Sequence, residues 1–236
     1  MKNRFRPGAH PQEAYQLYLR NPQACAAGLA RVVPRFAALL IIFATGACLT
    51  GCSFLKPVHD TTRHYVLSPL PAVERTKTAS SASGVGLGQV KLPAYLLDTS
   101  LAVRKGTNEI DYLPDALWAE RLDTGIQHVL AANLATLLAS DQIRLSSWRS
   151  EDVRAEIYVA VEQFDVDSSG RAILVAWWRI LSPGGEKTLK ASVSRLERQG
   201  PSPDSNPSGA IATLSDLLAE LSRQLAQAGK ETALLH

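Results

Sequence analysis

Cysteine is scarce in this 236-residue chain: Cys25, Cys48 and Cys52 are the whole supply, and none stands in a Cys-x-x-Cys spacing. That excludes a zinc ribbon, a dithiol redox motif and a disulfide-rich scaffold. No two of the five histidines stand four apart, and there is no His-Glu-x-x-His, so the usual helical zinc-hydrolase signature is missing. Neither Gly-x-Ser-x-Gly nor Gly-Lys-Ser/Thr occurs, which removes a nucleophile elbow and a Walker-type phosphate loop. Long apolar runs are lacking too. The uncharged stretch from Phe36 to Ala47 makes only ~18 Å of helix, short of a bilayer core of ~30 Å. With 46% hydrophobic and 20% charged residues, the composition is that of a globular protein rather than a collagen, coiled coil or disordered chain.

Positive charge is concentrated at one end. Residues 1–51 hold six basic residues and one acid, Glu13, whereas the rest carries nineteen basic against twenty-one acidic residues. Without the first fifty-one residues no basic footprint for nucleic acid remains. The order Arg31 to Arg35, then the short apolar run, then small residues reads as a secretory signal. Leu49-Thr-Gly-Cys52 closes it and resembles the bacterial lipobox. The resemblance implies cleavage between Gly51 and Cys52, with S-diacylglycerol and N-acyl groups on Cys52. Several acyl chains anchor durably where one does not. No other cofactor is expected. Ser53 follows in the sorting position, where serine rather than aspartate directs a Gram-negative lipoprotein to the outer membrane. Residues 1–30 make an unusually long leader, and Val32 or Val33 is an alternative translation start.

The organisation expected is a removed leader and signal (1–51), a lipidated tether (52–63) and a single domain (64–236). A short strand at His64–Leu70 precedes a polar loop at 72–84. Val85 to Leu92 alternates with a phase slip at its glycines, the mark of a bulge. Lys105-Gly-Thr-Asn108 turns a hairpin between Leu101–Arg104 and Glu109–Tyr112. Trp118, Leu122, Ile126, Val129, Leu130, Leu134, Leu137 and Leu138 form an apolar stripe, predicting a helix over Asp115–Ser140 with Asp115 as its N-cap. Ala155–Phe164, Ala172–Ile180 and Thr188–Ser194 read as three strands, with Phe164 on the face of Tyr158 and Ala160. In the third, Leu189, Ala191 and Val193 alternate with polar residues as in a sheet wet on one side. A last amphipathic helix runs from Ile211 to Leu225, beginning near Ser208 or Thr213. Two such helices against a mostly antiparallel sheet make an α+β two-layer sandwich.

Few residues invite chemistry. The glycines of Gly84-Val-Gly-Leu-Gly88 precede a strand rather than a helix, which favours a bulge over a phosphate loop. His128 falls on the polar side of its helix, and Asp165, Asp167, Glu151 and Asp152 adjoin turns that carboxylates cap. Trp177 and Trp178 are adjacent on a strand, so their rings point to opposite faces; one packs under the helices, and the other is covered in its turn or offers a protein contact.

Several stretches, in order, resemble the ABC-type transport auxiliary lipoproteins, the family of paraquat-inducible protein C. They are Tyr65-Val-Leu-Ser-Pro-Leu70, Val85-Gly-Leu-Gly-Gln-Val-Lys-Leu-Pro-Ala-Tyr-Leu96, Leu101-Ala-Val-Arg104 and Leu117-Trp-Ala-Glu-Arg-Leu122. Val129-Leu-Ala-Ala-Asn-Leu134, Val159-Ala-Val-Glu-Gln-Phe-Asp165 and Ala176-Trp-Trp-Arg-Ile180 continue the set. The resemblance implies a non-enzymatic, outer-membrane accessory lipoprotein on the periplasmic side. It would dock an MCE-domain tunnel protein (PqiB-like), together with inner-membrane transporter components, in lipid transport that supports envelope integrity. A homo-oligomer is expected, with no nucleic acid. A passive structural lipoprotein and a periplasmic hydrolase are the alternatives.

Overall fold

The computed structural model describes residues 61–71, 84–140 and 142–232, so Gly51, Cys52 and Ser53 lie outside the described residues, as does most of the expected polar loop. The chain runs β1 (Arg63–Tyr65), β2 (Gly84–Leu87), β3 (Ser100–Gly106), β4 (Glu109–Trp118), α1 (Leu122–Leu137), β5 (Ile143–Leu145), β6 (Val153–Asp167), β7 (Arg171–Leu181), β8 (Thr188–Gln199) and α2 (Pro207–Glu231). The described strands make one eight-stranded mixed sheet, and α1 and α2 pack on each other and on one of its faces. That is the expected two-layer α+β architecture.

β6 is the spine. One edge pairs antiparallel with β7, and the other pairs parallel with β2 near its start and β3 near its end. β7 in turn pairs antiparallel with β8. The tight returns depend on glycine: Gly170, Gly184 and Gly185 have φ of 89°, 76° and 72°, in the left-handed region that a Cβ disfavours. The β3–β4 hairpin forms as the turn residues predict.

The apolar alternation of β6 changes phase once. Ile157, Val159 and Val161 face the helices, the register shifts between Val161 and Gln163, and Phe164 and Val166 then take over the inner face. The expected place of Phe164 beside Tyr158 and Ala160 is therefore corrected: the bulge returns its ring to the core, 2% exposed. β8 inverts its pattern as well. Val193 is 43% exposed on the outer face, while Ser194 is buried, accepts from Trp178 Nε1 at 2.8 Å and bonds Gln224 of α2. Ala191 and Val193 are therefore on the wet side, while Leu189 and Leu196 pack partly buried against the core.

The predicted helix over Asp115–Ser140 begins too early. Asp115 to Trp118 complete β4, pairing parallel with β1, and Ala116 and Trp118 are buried there. Pro114 sits in the register shift opposite Ser100 and Leu101, where the ladder asks for no amide donor. Trp118 stands four residues before Leu122, so a strand residue mimics the helical stripe. α1 starts at Leu122 behind Arg121, whose side chain caps nothing. α2 is capped by Asn206, which accepts from Gly209 N at 2.9 Å, with Pro207 as the first helical residue. The helix thus begins beside Ser208, as expected, and Thr213 lies within it, its Oγ1 donating to Gly209 O.

The first strand is shorter than expected. After Tyr65 the chain leaves the sheet and crosses the helices, where Ser68 N donates to Ser215 Oγ and Leu70 N to the fully buried Asn133 Oδ1 at 2.7 Å. Asn133 Nδ2 donates to Ser222 Oγ, so one satisfied polar network ties this strap to both helices.

Candidate functional site

The two tryptophans of β7 divide as strand geometry requires. Trp178 is 6% exposed under α2, whereas Trp177 is 54% exposed on the opposite face with its Nε1 donating to Glu162. His128 is exposed, with Nδ1 3.4 Å from Glu120 Oε2. Asp167 caps its turn by accepting from Ser169 N and Arg171 N. Among the described residues, no group of three or more His, Cys, Asp and Glu side chains could hold a metal ion. No described helix is long and apolar enough to cross a membrane.

Beside Trp177 the outer face holds a cleft of about 820 Å³ that the sequence did not announce. Trp148 and Tyr158 form its wall, ring centroids 6.5 Å apart at 53°. Both rings are fixed by one carboxylate: Glu156, 5% exposed, accepts from Trp148 Nε1 at 3.1 Å, Tyr158 Oη at 3.0 Å and Gly184 N at 3.0 Å. Burial, reinforced by hydrogen bonding to Glu156, pushes the Tyr158 hydroxyl above its ordinary pKa. Arg179 lies over the Tyr158 ring, 5.4 Å from its centroid, a cation–π contact. Lys91 stands at the same opening, and neither cation has an ion-pair partner among the described residues.

The glycine run acquires its meaning here. β2 carries a register shift, as expected, but Gly86 and Gly88 serve mainly as seats for rings. A Cβ on Gly86 would come within 2.5 Å of Trp148, and one on Gly88 within 2.6 Å of Tyr158. Gly88→Ala should displace Tyr158, alter the near-ultraviolet circular dichroism and cost about 1–3 kcal/mol in urea unfolding. Gly106→Ala, with nothing within 4 Å of its added methyl, should change neither; equal effects at both positions would remove the seat.

A second buried carboxylate lies nine residues further along β6, and here the turn-capping expectation is corrected. Asp165 is 2% exposed and bonds Arg104 Nη2 at 2.6 Å, Tyr95 Oη at 2.9 Å and Gln163 Nε2 at 2.9 Å. Burial first, then the charge of Asp165, raises the Tyr95 hydroxyl far above its usual pKa. This cluster locks the 3-10 turn Ala94–Leu97 onto the sheet. Both oxygens of Asp165 are occupied, as a buried carboxylate requires.

A family model described as the ABC-type transport auxiliary lipoprotein component matches residues 65–226. No curated protein matches the chain. Among solved structures, an uncharacterized protein is similar at 18% identity and a TM-score of 0.57, with 70% of this chain and 97% of that one covered. A Xanthomonas campestris protein is similar at 12% identity and a TM-score of 0.56, over 72% and 99% of the two chains. At such identities the likeness is one of fold.

Proposed function

Because this chain belongs to the ABC-type transport auxiliary lipoprotein family, we propose that it is a non-enzymatic docking lipoprotein of an MCE-type intermembrane lipid transport system, anchored in the outer membrane and facing the periplasm. The observation that carries the reading is the family match across nearly the whole domain, joined to the lipobox at Leu49–Cys52. A transport accessory needs an anchor, a leash and a binding surface. Cys52 supplies the first as the lipidated residue. The eleven residues between it and His64 reach ~35 Å when extended. The exposed Trp177–Val193 strip of β7 and β8 supplies a surface that excludes water on contact.

Cys52→Ala should leave an uncleaved precursor that takes up no radiolabelled fatty acid. Ser53→Asp should move the wild-type outer-membrane pool to the inner membrane in a density gradient. Wild-type protein found only in the inner membrane would overturn the docking role.

Partner and assembly are tested together. An MCE-domain tunnel protein (PqiB-like) and its inner-membrane transporter components should co-purify with the intact lipoprotein. The domain should self-associate in light scattering, and Trp177→Ser should weaken that association. Trp178→Ser is the wrong probe, since it removes a core ring. A strict monomer at high concentration that ignores every MCE protein of its own cell would leave a passive envelope lipoprotein.

A further inference from the structure

We propose that the Trp148–Tyr158 cleft binds an amphiphilic phosphate ester, its phosphate between Lys91 and Arg179 and its apolar body on Ala160, Ala191 and Trp177. The site needs no tunnel partner, but it shares Trp177 with the strip assigned above to protein contact, so the ester binds where that end of the strip is uncovered.

Preorganisation is the first argument. Half-buried aromatic rings at a surface ordinarily keep some freedom to turn, but Trp148 and Tyr158 are seated on Gly86 and Gly88 and hydrogen-bonded to one carboxylate. A ligand meeting such a wall has little side-chain entropy to remove. A core needs no such arrangement on its solvent side.

Charge is the second. Glu156 has donors from two rings and a backbone amide, so its oxygens are engaged behind the wall. The cleft's free charges are then two cations from different segments, Lys91 after β2 and Arg179 in β7, both exposed. A tetrahedral phosphate presents oxygens on several sides and accepts from both, whereas one planar carboxylate matches a single fork.

The third argument is the apolar floor. Ala160, Trp177 and Ala191 adjoin across three strands, Ala160 opposite Trp177 in the β6–β7 ladder and Ala191 opposite Arg179 in the β7–β8 ladder. Free phosphate would use the cations and leave this strip idle; an amphiphile covers both.

The full-length lipoprotein, in its own cells grown with radiolabelled phosphate, tests the site. A photoreactive benzoylphenylalanine replaces Gln89 or Ser147 at the rim of the cleft, or Asp216 on α2 as a control. The aryl ketone inserts into C–H bonds, so inorganic phosphate is not captured, and the lipid anchor carries no phosphate. Irradiation should label the rim variants and not the Asp216 variant. Lys91→Glu or Arg179→Glu should lower the label at least about tenfold, the equivalent of one charge-assisted hydrogen bond. Lys230→Glu on α2 should not, and unchanged protease resistance shows that each variant folds. Phospholipase treatment of the adduct separates an acyl-bearing ester, as proposed, from a soluble sugar phosphate, which would overturn the amphiphile. Equal labelling at Asp216, no labelling, indifference to the charge reversals, or capture of a polypeptide in place of the label would each overturn the site.

Discussion

Arg104→Ala should destabilise the protein by about 3 kcal/mol, because it leaves a buried carboxylate without its counter-charge. Asp165 is 2% exposed and accepts three hydrogen bonds from two guanidinium nitrogens, while Tyr95 and Gln163 remain as neutral donors. The Arg104 side chain is itself 25% exposed, so water enters in its place and holds the loss near the lower end of the range for broken buried pairs. Position adds to the effect. β3 and β6 pair through only Val103–Val166 and Arg104–Asp167, and the ion pair stitches them beside this short ladder. Adding Asp165→Asn to Arg104→Ala should restore part of the loss, since an amide strands no charge. Urea unfolding of both single variants and the double variant measures it. Strict additivity of the two losses would show that the stranded charge is not the cause.

Leu134→Ala should cost about 2–5 kcal/mol, the transfer free energy of the deleted carbons plus the cavity they leave. Leu134 is fully buried on α1 in the core that α1, α2 and the inner face of the sheet share. Against a marginal stability of about 5–15 kcal/mol, that is a large fraction. Leu130, equally buried, should behave alike. His128→Ala on the same helix should be silent in thermal unfolding and in envelope function, its ring being 55% exposed. A folded His128→Ala protein without function would place chemistry on that face, where nothing now points to any.

Local patterns carried much of this fold into the sequence. The β3–β4 hairpin, the returns at Gly170 and Gly184–Gly185, and the α2 stripe are written in neighbouring residues, so turn chemistry and periodicity reveal them. The order of stretches shared with the family is likewise a property of the chain. By itself the sequence therefore determined the α+β class and the family.

Tertiary structure decided the rest, wherever a residue's role depends on a segment far along the chain. Trp118 matches a helical stripe, and only pairing with β1 makes it a strand residue. Phe164 lies on either face until the bulge opposite β7 sets its phase. Asp165 looks like a turn carboxylate until Arg104, sixty-one positions earlier, reaches it. The cleft is the clearest case. Gly86, Trp148 and Gly184 reach the Glu156–Tyr158 stretch of β6 from three other segments, with no shared motif. Side-chain hydrogen bonds and steric seats act over a few ångströms of space, and one-dimensional periodicity does not record which distant residues the sheet brings that close.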